Sequence, residues 1–407
     1  MTLTILRLGH QGDGIADGPD GPVFAPLTLP GEEIEGEPRN NRIENPRIIT
    51  PSSDRVRAPC SHFKKCGGCA LQHASDQFVS AWKSEIVQNA LRSQEIDIPV
   101  PPPLVSPPKS RRRATLGGKR TQKGALVGFH ARGSKTIIPV PSCTLLKPEI
   151  VSAIPALERL TTCGASRKAV LSISATVSLN GLDIAVTGGK DPDLPLLEQL
   201  GGISRDAGFA RLSWNGEIIA TNAPPEQRFG TAHVVPPPGS FLQATAEGQE
   251  ALTDAVLEGI GNARHVADLF SGCGTFTLPV AAQAEVTAFE NDPEAIAALD
   301  AGWRKGSGLK TVTAIRRDLF RRPVLAGELD RFDAVVIDPP RAGAQAQIAE
   351  IASSRLGHVV HVSCNPVTFA RDARTLLSAG FRIGNIKVID QFRWSPHVEL
   401  VARFSRD

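Results

Sequence analysis

Apolar and polar positions change their rhythm three times along the chain. Residues 1–52 read as short strands. Val23-Phe24-Ala25-Pro26-Leu27 and Ile34-Glu35-Gly36-Glu37 flank Leu29-Pro30-Gly31-Glu32, and Gly or Pro recurs every few residues. That punctuation predicts a small β-barrel. Over 76–95 the period lengthens: Phe78, Trp82, Ile86 and Leu91 recur at helical spacing with polar residues between them. Val100-Pro101-Pro102-Pro103 reads as a stiff linker. Residues 104–232 are strand-rich and mixed, as in Ala169–Val177, until His233–Gly239 makes a second break. Beyond 240 a helical stretch, Thr245–Ile260, leads into an apolar run, His265–Phe270. Further apolar runs follow at Glu285–Glu290, Ala334–Asp338 and Gly357–Val362, with helix-like stretches between them. Buried β-runs alternating with helices predict an open, doubly wound parallel sheet. Ligands in such sheets sit beyond the carboxyl ends of the strands, so the residues that close each apolar run are the first to inspect.

The chain has 407 residues, enough for two or three domains. A hydrophobic share of 41% with 21% charged residues excludes a wholly disordered chain. No apolar run approaches the ~18 residues of a membrane span. No basic-then-apolar leader is read after Met1, so a cytoplasmic protein with no membrane partner is expected. The net charge of +3 is uninformative, but its distribution is not. Residues 1–50 carry eight acidic and four basic side chains, whereas 109–136 carry nine Lys or Arg and no acid. The basic block is either a solvated face or a patch that meets phosphates.

Seven cysteines without a leader argue against a disulfide framework. Three crowd into Cys60-x5-Cys66-Gly67-Gly68-Cys69, where the glycines let the backbone turn tightly. Cys143, in Val140-Pro141-Ser142-Cys143, could add a fourth thiolate. This pattern suits a [4Fe–4S] cluster or a structural zinc, with His62 and His73 keeping zinc open; unrelated buried thiols are the bland alternative.

Three motifs lie at the ends of apolar runs in the carboxyl-terminal half, and a fourth lies just before the run Leu400–Phe404. In Asp268-Leu269-Phe270-Ser271-Gly272-Cys273-Gly274-Thr275, glycines permit close approach of a cofactor, and Glu290 ends the next strand where an acid can accept hydrogen bonds from ribose hydroxyls. Thr277 occupies the place of the third glycine of a dinucleotide fingerprint, which favours S-adenosylmethionine over NAD. Asp338-Pro339-Pro340-Arg341-Ala342-Gly343 sets an acid on a rigid platform. In Ser363-Cys364-Asn365-Pro366, Asn365 can cap a helix that starts at Pro366. A thiol there is expected to gain thiolate character from the exposed N–H groups and to act as a nucleophile. In Trp394-Ser395-Pro396-His397-Val398-Glu399, Glu399 is a candidate general base and His397 a helper.

Taken in order, these motifs resemble the RNA uridine-C5 methyltransferase family, and the cysteine cluster resembles its iron–sulfur branch acting on 23S ribosomal RNA. The resemblance implies an α/β protein in three parts. These are a TRAM-like OB barrel over 1–52, a mixed α+β central iron–sulfur and RNA-binding domain over 53–236, and a Rossmann-like methyltransferase domain over 237–407. Residues 76–101 are expected to pack on the last of these. It also implies that Cys364 adds to uracil C6, that Glu399 removes the C5 proton, and that Gln243, Phe270, Thr275, Glu290, Asp318 and Asp338 hold S-adenosylmethionine. Cys60, Cys66, Cys69 and Cys143 match the ligands of a [4Fe–4S] cluster. The implied product is 5-methyluridine in 23S rRNA, with tRNA as the alternative substrate and a monomer as the working form. A non-catalytic iron–sulfur RNA-binding protein is the competing reading. Thr275 stands where relatives often have Asn, and Ala244-Thr245 where they often have Val-Asn.

Overall fold

The computed structural model describes residues 1–406; residue 407, the end of the expected third part, lies outside the described residues. An eight-stranded sheet organises the carboxyl-terminal half. Its order is Val312–Arg316, Glu285–Glu290, His265–Leu269, Ala334–Ile337, His358–Ser363, Glu399–Ser405, Arg382–Asp390, Leu104–Val105. The first five strands are mutually parallel, as the alternation of apolar runs and helices predicts. Glu399–Ser405 departs from that expectation. It runs antiparallel between His358–Ser363 and Arg382–Asp390, with Ser363 paired to Leu400 and Ile389 to Glu399. The reversal has a chemical result: the start of this strand lies at the same edge as the ends of its neighbours. Glu399 therefore joins the residues that close the parallel strands. The helices Ala246–Ile260, Pro293–Lys305, Gln345–Ser353 and Pro366–Ser378 cover the sheet and bury two apolar cores, one against each face. This is an open α/β sheet with helices on both faces.

Chain from well before residue 237 takes part in that lobe. The hairpin of Gln227–Phe229 and Ala232–Val234 contributes Phe229, Ala232 and Val234 to one core. The helix Asp76–Arg92, capped by Ser75 whose hydroxyl accepts the Phe78 N–H at 3.1 Å, packs against Pro366–Ser378 and adds Val87, Ala90 and Leu91 to the other. Leu104–Val105 extends the sheet edge beside Arg382–Asp390. The buried face of Asp76–Arg92 is not the one its apolar spacing suggests. Trp82 and Leu91 are buried, Phe78 and Ile86 only partly, and Lys83 completely. Lys83 goes inside because Asp390 is there: Nζ lies 2.6 Å from the Asp390 carboxylate, and it donates to the Phe392 carbonyl at 3.2 Å. A buried charge is tolerated when it is paired and hydrogen-bonded in this way.

A seven-stranded, mostly antiparallel sheet fills the middle of the chain, from Arg113–Arg120 to Glu217–Thr221. The helices Ile154–Gly164 and Leu194–Asp206 pack over its core. Residues 2–50 form two three-stranded antiparallel sheets around Ile5, Ala16, Val23, Ala25, Ile34 and Ile43, with no ladder joining the two sheets into one. No helix among the described residues is long and apolar enough to cross a membrane.

Candidate active site

The crevice at the carboxyl edge of the parallel strands begins with the turn after His265–Leu269. Phe270 adopts φ 64°, rare for a residue with a side chain, and Gly272 and Gly274 follow at 54° and 97°. This twist lets the N–H groups of Phe270 and Ser271 both donate to the Phe289 carbonyl, at 3.0 and 3.1 Å. Gly274 cannot be replaced without displacement, since a Cβ there would lie 2.5 Å from Leu299 Cδ1. The Gly272 N–H donates to Glu290 at 3.0 Å, and the other carboxylate oxygen of Glu290 accepts the N–H groups of Asn291 and Asp292 at 2.6 and 2.9 Å. Glu290 is thus fixed beside the glycine turn. Asp318 accepts the Phe320 N–H at 3.0 Å, and the Phe320 ring meets Phe270 at 5.4 Å between centroids. Glu290, Asp318 and Phe270 consequently surround one turn. Thr275 lies in that turn, half-buried, while Thr277 has the visible polar contact: its hydroxyl donates to Asp268 at 2.5 Å. Sequence reasoning used Thr277 only to disfavour NAD, yet it anchors the buried acid that closes the strand. Burial and the neighbouring acids Asp338 and Glu290 push Asp268 up to about 7.

Asp338 and Cys364 follow the ends of adjacent parallel strands, Glu399 begins the antiparallel strand beside them, and the three lie within electrostatic reach of one another. Burial pushes Asp338 up to about 7. Burial first, then Asp338, raises Glu399 well above the ordinary carboxylate range, while a hydrogen bond from Gln391 acts the other way. Asn365 caps the helix Pro366–Ser378 as its sequence suggests, accepting the Val367 N–H at 3.1 Å, and its amide donates to the Arg341 carbonyl at 2.9 Å. The expected thiolate character of Cys364 is overturned. Burial, with the nearby carboxyls of Glu399 and Asp338, pushes its thiol up to about 11, outweighing the backbone N–H groups and Arg341. His397 meets the Phe392 ring edge at 5.8 Å, and burial with the cations Arg341, Lys83 and Arg111 lowers its pKa.

Gln243 is buried below this group. Its side-chain oxygen accepts a hydrogen bond from Gln391, a residue that sequence reasoning passed over. Its main-chain carbonyl accepts from Arg112 Nε at 3.1 Å. Arg112 belongs to the basic block, which is not one surface. Arg112 is buried and also donates to Gln249 at 2.7 Å. Arg111, Arg113 and Arg132 lie over the rings of Phe392, Phe241 and Phe63. Of the block's nine cations, Lys109, Lys119, Lys123 and Lys135 are the exposed ones.

Cys60, Cys66, Cys69 and Cys143 line one small cavity with Phe63, Gly68, Gln72, Phe129, Val140 and Leu145. No imidazole or carboxylate lines it. His62 instead meets the Ser142 hydroxyl at 3.2 Å, and His73 is stacked on Phe63 with burial lowering it to about 4. Gly67 is required here, since a Cβ would lie 2.8 Å from the His130 carbonyl. Burial and the mutual presence of the thiols raise Cys66 and Cys143 and push Cys69 up to about 12. Among the described residues no group of three or more His, Cys, Asp or Glu is gathered in the manner of a metal-ion site, so the four thiols share a cavity without closing on a single centre. The loop that follows them is tied to the segment that leads into Glu399: the N–H groups of Ala70 and Leu71 both donate to the Trp394 carbonyl, at 2.7 and 3.0 Å.

Residues 309–406 match the model of the tRNA (uracil-5-)-methyltransferase family. An uncharacterised RNA methyltransferase of Brucella suis is 45% identical over 98% of this chain and 96% of its own. The 23S rRNA (uracil(1939)-C(5))-methyltransferase RlmD of Shewanella woodyi is 30% identical over 99% of this chain and 95% of its own. The crystal structure of the Pyrococcus abyssi tRNA (uracil-54, C5)-methyltransferase, solved with S-adenosyl-L-homocysteine, shares the fold with a TM-score of 0.78, 23% identity and 99% coverage of both chains. The chain belongs to the RNA uracil-C5 methyltransferase family and is an RNA methyltransferase.

Proposed function

We propose that this enzyme transfers a methyl group from S-adenosylmethionine to C5 of a uridine in 23S ribosomal RNA, giving 5-methyluridine. The observation that carries the reading is the meeting of Cys364, Asp338 and Glu399 at one sheet edge, made possible by the antiparallel entry of Glu399–Ser405. A uracil C5 is a poor nucleophile until a group adds to C6. Cys364 loses its proton to solvent and its sulfur bonds to C6, while the electron pair of the C5–C6 double bond moves toward C5. The methyl donor supplies an electrophilic carbon on a positive sulfonium. C5 takes that methyl and the donor leaves as the neutral thioether. Glu399 then takes the proton from C5, the C5–C6 double bond re-forms, and Cys364 departs. The high pKa values of Asp338 and Glu399 fit this order, because a cation beside two buried carboxyls stabilises their ionised forms. Gln243, Phe270, Thr275, Glu290, Asp318 and Asp338 are assigned to the donor, with Glu290 toward the ribose hydroxyls. A stacked or paired uridine cannot present its face to Cys364, so the base flips out.

The 30% identity to an enzyme named for 23S rRNA, across nearly the whole chain, supports ribosomal RNA as substrate. Incubation of the protein with labelled S-adenosylmethionine and unmodified 23S rRNA or tRNA, followed by nucleoside analysis, tests it. Labelled 5-methyluridine is expected in 23S rRNA. Label confined to tRNA would replace the substrate, and none in either would sink the reading.

We assign a [4Fe–4S] cluster to Cys60, Cys66, Cys69 and Cys143, supported by the four thiols that line one cavity with no imidazole or carboxylate in its walls. Such a cluster would bind thiolates at its corners, a wider arrangement than the grip on one ion. Anaerobic purification is expected to give a brown protein with about four iron atoms per chain. Zinc, or no metal, would remove the cluster and leave the methyl transfer standing. The segment 1–52 is read as an RNA-holding barrel of the TRAM kind, and 53–236 as the cluster-bearing, RNA-holding domain.

A further inference from the structure

We propose that Gln391 is a positioning residue: its single side-chain amide fixes the base Glu399 and the donor-side residue Gln243 relative to each other. The inference rests on the reading of Glu399 given above. Gln391 follows the strand Arg382–Asp390 and is 1% exposed. Its Oε1 accepts the Ala244 N–H at 2.7 Å. A main-chain N–H can only donate, so this bond fixes which way the amide faces and turns its NH2 group toward two acceptors. One is Gln243 Oε1. The other is Glu399, which pairs across the sheet with Ile389, two residues before Gln391, and whose ionised form the amide favours.

Nothing around the amide is free to drift. The helix Ala246–Ile260 comes so close that a Cβ on Gly248 would lie 2.7 Å from Gln391 Cβ. The preceding Asp390 is tied to Lys83 and accepts the Phe392 N–H at 3.0 Å. On the far side, Arg112 holds the Gln243 carbonyl, and its own N–H donates to the Ala244 carbonyl at 2.9 Å. The groups facing Glu399 from the neighbouring strands are Asp338 and Cys364. Two residues before it lies His397, itself pressed by Arg341, Lys83 and Arg111. Among these, Gln391 is the group that is hydrogen-bonded to Gln243 and stands beside the base on the neighbouring strand. Without it Glu399 keeps its burial and its acidic neighbour but loses the donor that favours its ionised form.

The test uses full-length protein, the RNA substrate found by nucleoside analysis, and two variants. Gln391→Leu removes both halves of the amide. Gln391→Glu keeps an acceptor for the Ala244 N–H but replaces the donor with a second acid, so it tests the idea even where the leucine variant fails to fold. The measured quantity is the rate at which the covalent protein–RNA adduct resolves to methylated RNA, taken against pH. At neutral pH resolution is expected to slow about tenfold in Gln391→Leu, with the rise in rate displaced upward by about one pH unit. The displacement is expected to be larger in Gln391→Glu, while RNA binding stays within about twofold. An undisplaced pH profile in either variant overturns the proposal, whether the rate is unchanged or uniformly lower. If Cys364→Ala retains transfer, the reading of the site fails rather than the role of Gln391.

Discussion

Replacement of Cys364 by alanine is expected to cut methyl transfer by about 10⁴-fold or more, leaving donor binding and RNA binding near their normal strength. The side chain is small and partly accessible, so its loss leaves only a minor cavity. The cap made by Asn365 and the strand His358–Ser363 do not depend on it. What disappears is the sulfur that adds to C6. Labelled S-adenosylmethionine with RNA as acceptor measures the first quantity, and donor titration the second. Near-normal transfer by this variant would remove covalent activation from the mechanism. The thiol of the free enzyme, at about 11, adds a pH signature. Burial and two neighbouring carboxyls hold it protonated, so formation of the adduct is expected to accelerate as pH rises through the neutral range.

Glu399→Gln is expected to separate the two halves of the reaction. An amide is nearly isosteric with the protonated carboxyl that burial favours here, so the packing of the pocket is retained. It cannot accept the C5 proton. Addition and methyl transfer proceed, while elimination slows by about 10²–10⁴-fold. A methylated protein–RNA adduct then accumulates and runs as a retarded band on a denaturing gel. Its release loses the rise with pH that ionisation of Glu399 gives the unaltered enzyme. Rapid release by the variant would assign the proton to another group.

Much of this site is legible in the linear chain because a parallel sheet places chemistry at strand ends. Asp268, Glu290, Asp338 and Cys364 each close a recognisable apolar run. The rest depends on information that no local pattern holds. Periodicity cannot show that Glu399–Ser405 is antiparallel, although that reversal is what brings Glu399 to the shared edge. Lys83 occupies a polar position on an amphipathic helix, and only Asp390, far away in sequence, explains its burial. Gln391 carries no motif, since a lone glutamine is chemically unremarkable until its partners are known. Arg112 sits in a run of cations and reads as surface, yet it holds Gln243 in place. The thiolate expectation for Cys364 fails for a related reason. Helix capping is visible locally, whereas the two acids that oppose ionisation arrive from other strands.

The helix Asp76–Arg92 has an unusual position in time as well as in space. During synthesis it leaves the ribosome roughly 300 residues before Glu399–Ser405, which at ~5–20 residues per second means a delay of about 15–60 seconds. Until then Val87 and Leu91 have no lobe to enter, although Trp82 already has Leu8, Leu29 and Leu71 to pack against, and the Lys83 ammonium has no Asp390 to meet. That charge keeps the nascent helix wetted while it waits, and it becomes a selective latch once the last strands arrive. Closure of the lobe is therefore a late event that joins both ends of the polypeptide.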